Sequence, residues 1–249
     1  MTIVIIVVVS CFLLLLAMFK QANENNVRKH LVKASGKNET LRLFFISDTH
    51  ARKINKKMIK KISGRMDAVI IGGDFVDKRT TPKILEHNIR LLKKLGPVYF
   101  VWGNNDIEFG EQQLRHYFDI HQVRVVENEA VLLHSENQVK LSAVAYSPDV
   151  QKIAQALAGC DEQRTIFVAH NPQKFPEVYR QFKPLLSMGG HLHGGQIRFG
   201  SYSIQPHGSF KKLNGCYELV SNGYGTTLLP LRFGAKPECH IIELKFNEK

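Results

Sequence analysis

Apolar residues occur in two patterns along this chain. The first is one unbroken run, residues 3–19, apolar except for Ser10 and free of charge. As a helix it would extend roughly 25 Å, the short end of what a bilayer core needs. No Lys or Arg precedes it, and Ala17-Met18-Phe19 makes a poor cleavage site, so the run predicts an uncleaved anchor. The second pattern begins at Leu41, where short apolar runs alternate with helical stretches. Strands are predicted at 41–46, 67–71, 98–102, 123–126, 139–144, 165–169, 185–188 and 239–246. Helices are predicted at 53–62, 82–95, 150–157 and 176–182. Continuous apolar strands separated by helices imply an α/β fold with sheets buried under helices. Residues 20–40 lack sustained apolar periodicity and read as a polar linker. The chain thus divides into a transmembrane anchor (1–19), a basic linker (20–40) and a globular domain (41–249).

Composition alters this picture mainly through charge. The chain has 249 residues and a formal net charge of +12, with 44% apolar residues, ordinary for a globular protein. Between residues 20 and 65 stand thirteen basic residues against three acidic ones, so most of the excess follows the apolar run. By the positive-inside rule, the segment after the helix stays cytoplasmic. Within the predicted 53–62 helix, Ile54, Met58 and Ile62 form an apolar stripe, leaving Lys53, Lys57, Lys60 and Lys61 to meet an anionic membrane surface. A nucleic-acid partner would also suit the charge, but few aromatics lie among the basic residues to stack on bases. The four cysteines (Cys11, Cys160, Cys216, Cys239) form no CxxC pair and suggest a reducing compartment.

The candidate chemistry sits just after five apolar runs. Asp48-Thr49-His50 follows LFFIS, Gly73-Asp74 follows AVIIG, and Gly103-Asn104-Asn105-Asp106 follows VYFVW. His170-Asn171 follows TIFVA, and Gly190-His191-Leu192-His193-Gly194 follows LLSMG. Ligands of α/β sheets gather at the carboxyl ends of strands, so five such ends would converge on one crevice. Mixed Asp and His donors suit zinc, manganese or iron better than calcium or magnesium. Asp74, on its Gly72-Gly73 turn, is the natural carboxylate to bridge two ions.

The series DxH…GD…GNND…H…GHLH resembles the calcineurin-like metallophosphoesterase superfamily. The later Gly225-Thr-Thr-Leu-Leu-Pro-Leu-Arg-Phe-Gly segment is similar to its bacterial membrane-associated branch, which includes enzymes splitting a nucleotide-linked lipid precursor. The resemblance implies a four-layer α/β/β/α sandwich and two divalent transition-metal ions (Mn, Fe or Zn). It implies Asp48, His50, Asp74 and His193 around one ion, and Asp74, Asn104, His170 and His191 around the other. It implies catalytic roles for Asn105 and Asp106 beside them. Where the family usually has a His that protonates the leaving group, this chain has Asn105, which cannot deliver a proton at neutral pH. His207, in a later loop, would replace it only if that loop folds over the site. The function implied is metal-dependent hydrolysis of a phosphate ester or pyrophosphate bond at the membrane surface, on an anionic phosphate-containing substrate for which a lipid-linked molecule is the expectation. The alternatives are a nuclease or nucleotide phosphodiesterase, and a metal-binding scaffold with weak turnover.

Overall fold

A computed structural model describes every residue except 147, 148, 214 and 249. The strand Glu39–Ile46 (β2) shows why the fold has four layers. Leu43 and Phe45 point into an apolar layer between two sheets, while Phe44 and Ile46 point outward under helices. Because successive side chains of a strand face opposite ways, a run buried on both faces must be apolar throughout.

The first sheet has the spatial order β1-β12-β2-β3-β4-β5, from Asn26–Ser35 (β1), Glu238–Asn247 (β12), β2, Ala68–Gly72 (β3), Val98–Val101 (β4) and Arg124–Val125 (β5). The second has the order β10-β11-β9-β8-β7-β6. Its strands are Ser209–Leu213 (β10), Cys216–Val220 (β11), Leu186–Gly189 (β9), Thr165–Val168 (β8), Val139–Ala143 (β7) and Glu129–His134 (β6). Helices Lys56–Lys61 (α2), Pro82–Leu92 (α3) and Glu111–Ile120 (α4) cover the first sheet through Met58, Leu85, Ile89, Leu114 and Phe118. Val150–Leu157 (α5) and Phe175–Tyr179 (α6) cover the second through Ile153, Leu157, Phe175 and Val178. The result is the α/β/β/α sandwich. Caps set the helix starts: Thr81 accepts from the Ile84 amide ahead of Pro82, and Asp149 accepts from the Lys152 amide.

The N-terminal helix, Thr2–Ala22 (α1), stands apart from these layers, with only Met18 and Ala22 buried. At 1.5 Å per residue its 21 residues extend about 31 Å. It is long and apolar enough to cross a membrane.

The expected linker is corrected by the structure. Residues 26–35 form β1, paired in parallel with β12 from Asn26 opposite Glu238 to Ser35 opposite Asn247. Only Val32 of this strand is buried, and Arg28, Lys29 and Lys33 keep it polar, as suits an exposed sheet edge. The predicted 53–62 helix is shorter, running over Lys56–Lys61. The Asn88 side chain holds the chain extended just before it, accepting from the Ile54 amide at 2.8 Å and donating to the Arg52 carbonyl at 2.9 Å. Asn55 then caps the helix. Lys53, Lys57, Lys60 and Lys61 are all exposed, with Ile54 and Met58 buried beneath them.

Candidate metal centre

The carboxyl ends of β2, β3 and β4 meet those of β8 and β9 at one end of the sandwich. Backbone bonds tie the first two ends together: the Asp48 amide donates to the Gly73 carbonyl (2.9 Å) and the His50 amide to the Asp74 carbonyl (3.1 Å). The turns that follow are tight. Asp48, His50, Asp74, His191 and His193 all have left-handed backbone, with φ of 53°, 49°, 50°, 68° and 50°. Such a conformation costs a non-glycine residue about 1–3 kcal/mol and collects at functional sites. Two glycines make the close packing possible. A Cβ on Gly103 would overlap the Asp74 amide and carboxylate, and one on Gly190 would overlap Oδ2 of Asp48.

Two groups of donors result. Asp48, His50 and His193 bring ligand atoms within 4.8 Å of one another, and so do Asp74, His170 and His191. The His193 Nε2 lies 3.3 Å from Asp48 Oδ1 and 3.2 Å from His50 Nε2, and the His170 Nε2 lies 3.3 Å from Asp74 Oδ2. Nitrogen and oxygen ligands about 2.1 Å from one ion stand about 3.0–3.4 Å apart, so these spacings are the ones a coordination shell would require. The groups interlock: Asp74 Oδ2 is 3.9 Å from His50 Nε2, and Asp48 Oδ1 is 4.0 Å from His170 Nε2. Asp48, His50, Asp74, His170 and His193 are buried, whereas His191, Asn104 and Asn105 are half-buried.

The hydrogen bonding fits a cation. His170 Nδ1 must donate to the Gly72 carbonyl at 2.8 Å, which leaves its Nε2 as a bare lone pair in the neutral ring. That buried Nε2 has no hydrogen-bond partner, and neither has the buried Asn104 Oδ1. Electrostatics agree. Burial would lower the His170 pKa, but the Asp74 and Asp48 carboxylates outweigh it and hold the group up to about 9, so that without an ion a proton takes the place on Nε2 that a cation would fill. Burial would raise Asp48, yet His193, His170 and His50 hold it well below the usual carboxylate range. Burial keeps His193 and His191 low, and so neutral, the form in which imidazole binds metal. The buried carboxylates thus call for positive charge that a divalent ion supplies.

Asp106 lies beneath this site, bonded to the turns that carry it. It is fully buried, and its two oxygens accept from three backbone amides, those of Gly103 (2.7 Å), Asp74 (2.9 Å) and Val76 (3.0 Å). Burial, then the Asp74 charge, push its pKa up to about 7, while the amides favour its charged form. Asn105 is nearer: its amide donates to Asp74 Oδ1 at 2.8 Å, and its side-chain oxygen accepts from the Asn104 side chain. His207 joins neither group. Its Nδ1 lies 2.8 Å from the Gly208 carbonyl, and its ring lines a groove with Arg28, His30, Phe210 and His240.

Three neighbours escape the reading of the motifs. Asp77 Oδ2 stands 3.3 Å from His50 Nδ1, steadied by Arg79, whose Nε donates to it at 3.0 Å. Arg232 is buried, and its guanidinium donates to the carbonyls of His193 (3.1 Å), Asn222 (2.7 Å), Ala235 (3.0 Å) and Gly225 (2.8 Å). The Tyr146 ring lies 5.6 Å from that of His191. The Asp-x-x-Asp spacing of Asp74 and Asp77 was a signal for the first, Arg232 lies within the family-like 225–234 segment without being singled out there, and Tyr146 had none.

Residues 41–197 match the family model of the calcineurin-like phosphoesterase superfamily domain. The Bacillus subtilis protein YpbG is 36% identical over 235 residues, covering 91% of this chain and 90% of that protein. A Helicobacter pylori metallophosphoesterase is 26% identical over 224 residues, covering 82% of this chain and 60% of that protein, so the chain spans less than two thirds of its length. A solved Staphylococcus aureus structure in complex with alpha-ketoglutarate has a TM-score of 0.52 at 10% identity, covering 85% of this chain and 55% of that one, a likeness of fold alone.

Proposed function

The chain belongs to the calcineurin-like phosphoesterase superfamily and is a metal-dependent phosphoesterase, and we propose that it uses a two-cation centre on a phosphate ester or pyrophosphate presented at a membrane. Asp48, His50, Asp74 and His193 would hold one cation, and Asp74, Asn104, His170 and His191 the other. The observation that carries this assignment is the placing of Asp74 Oδ2, 3.3 Å from His170 Nε2 and 3.9 Å from His50 Nε2, so that one oxygen serves both groups. The mixed nitrogen and oxygen donors favour manganese, iron or zinc.

Divalent ions bound here would supply charge to neutralise the phosphoryl oxygens and would activate water. The protein's own residues supply the rest. His170 is held by the Gly72 carbonyl and His50 is flanked by Asp77, so both rings are oriented before substrate arrives. Asp106 fixes the Asp74 turn through the three amides. Asn105 offers a hydrogen bond to a substrate oxygen but no proton, so departing groups must leave as stable anions. That favours nucleotide pyrophosphates and aryl phosphates over alkyl phosphates. The apolar α1 and the exposed Lys53, Lys57, Lys60 and Lys61 favour an anionic bilayer and a lipid-linked substrate. The basic excess after α1 favours a cytoplasmic domain.

The test is product release by the detergent-solubilised full chain, loaded with manganese, from nucleotide pyrophosphates, aryl phosphates and alkyl phosphates. Turnover of the first two is expected. Protein that binds two manganese ions per chain and releases product from none of them is a metal-binding scaffold, and the enzymatic reading of this site fails.

A further inference from the structure

Two loops beside the metal centre carry large apolar side chains that nothing among the described residues covers. In residues 197–204, Phe199 is 62% exposed, Tyr202 83% and Ile204 90%. In residues 226–231, Leu228 is 89% exposed and Leu229 60%. Leu228 also has φ of 49°, so its backbone is strained while its side chain stays in water. A strained, exposed leucine gains nothing within the chain for either cost.

These loops are held in place. The Gln196 side chain donates to the Thr227 and Leu229 carbonyls, each at 3.2 Å, and Arg79 donates to the Leu228 carbonyl at 3.2 Å. Phe199 and Tyr202 exchange backbone bonds of 3.0 Å. Both loops connect directly to the centre, since Gln196 follows His193 by three residues and Arg79 grips Asp77.

They are also continuous with α1. The Arg232 amide donates to the Met18 carbonyl at 3.1 Å, and the Gly234 amide to Gln21 Oε1 at 3.2 Å. The foot of α1 shares a groove with Arg52, Lys53, Lys56, Lys57 and Arg79, and no carboxylate is among its described lining residues. Apolar tips beside a cationic ring, fixed to the end of a membrane-length helix, match the layering of acyl chains and anionic head groups.

We propose that loops 197–204 and 226–231 insert into the bilayer that holds α1, making the rim of the metal centre a membrane-binding surface through which lipid-linked phosphate reaches it. The inference rests on α1 being an anchor. It goes further by assigning the bilayer, and not a protein partner, as what covers Phe199, Tyr202, Ile204, Leu228 and Leu229.

The experiment places a tryptophan at Phe199, Leu228 or, as a reference within α1, Phe12. Each full-length variant is reconstituted in phosphatidylcholine vesicles with phosphatidylglycerol, with and without brominated acyl chains. The native Trp102 is buried and gives a constant background. Phe199→Trp and Leu228→Trp are expected to show blue-shifted added emission that brominated lipid largely removes, as for Phe12→Trp. If Phe12→Trp is quenched while either loop probe emits as in water, or is blue-shifted yet unquenched as under a protein partner, the rim is wrong and the anchor stands. If Phe12→Trp itself is unquenched, the anchor reading fails and the inference falls with it. Catalysis on a water-soluble aryl phosphate, measured on the same samples, tests the enzymatic reading separately.

Discussion

Asp106 is buried beneath the two donor groups and braces the turns that carry them. Its oxygens satisfy three amides that the turns after β3 and β4 leave without partners. Each buried amide left unsatisfied costs about 1–3 kcal/mol. Asp106→Ala is therefore expected to lower the urea unfolding free energy by about 3 kcal/mol or more, and to weaken manganese binding because the Asp74 turn loosens. Unchanged unfolding would mean that water replaces the carboxylate. Asn105 carries the opposite kind of prediction, one of rate. A positioned general acid gives about 10²–10⁴-fold, and the benefit is confined to poor leaving groups. Wild-type rates should fall steeply as leaving-group pKa rises, and Asn105→His should flatten the dependence. A wild-type series already flat, and unmoved by the substitution, would remove the missing-acid account.

Secondary elements differ in how openly the sequence displays them. The five strands that end in Asp48, Asp74, Asn104, His170 and His191 were legible because each is buried on both faces and so must be continuously apolar. Their polar ends stood out for the same reason. Strand β1 was hidden because it gains its place from pairing with β12 and buries only Val32. Helix α4 buries just Leu114 and Phe118, and β10 is half-buried or exposed throughout, so neither shows a clear period. Asp106 and Arg232 both stand in segments the motifs mark, but their bracing of nearby turns was opaque, since their partners are backbone groups, which leave no mark on residue type. The contrast within β1 is measurable. Val32→Ala should cost about 2 kcal/mol of stability, whereas Leu31→Ala, on the exposed side, should cost little. Equal effects in urea titrations would show that the strand is not held by its single buried contact.

At the scale of the whole molecule, two histidines tie the edge strand to the sheet and make the fold sensitive to acid. His30 Nε2 and His240 Nδ1 stand 3.0 Å apart, and His240 Nε2 lies 2.9 Å from Ser221 Oγ. Burial, then the neighbouring His30 and Arg28, hold the His240 pKa well below its ordinary value of 6.5. The unfolded chain takes up this proton first, so the stability is present above the unfolded pKa of about 6.5 and is lost as pH falls towards the folded one. The urea midpoint should therefore be lower at acidic than at neutral pH, and His240→Gln should reduce that difference. A midpoint independent of pH through this window would place the acid sensitivity elsewhere.

The passage from α1 to β1 takes three residues, and none is slack. Asn23 Nδ2 donates back to the Phe19 carbonyl at 2.8 Å, and Arg52 Nη2 donates to the Glu24 carbonyl at 2.7 Å. Asn25 Oδ1 accepts from the Tyr224 hydroxyl at 2.5 Å. A catalytic head on a flexible leash sweeps a volume set by the leash's length and spends little of its time at any one height. This head has no leash. With α1 in the bilayer, as proposed, it works as a depth gauge: its reach is a plane parallel to the membrane, and lateral diffusion alone brings scissile bonds to it. Substrates would then be sorted by how far above the acyl chains they carry phosphorus.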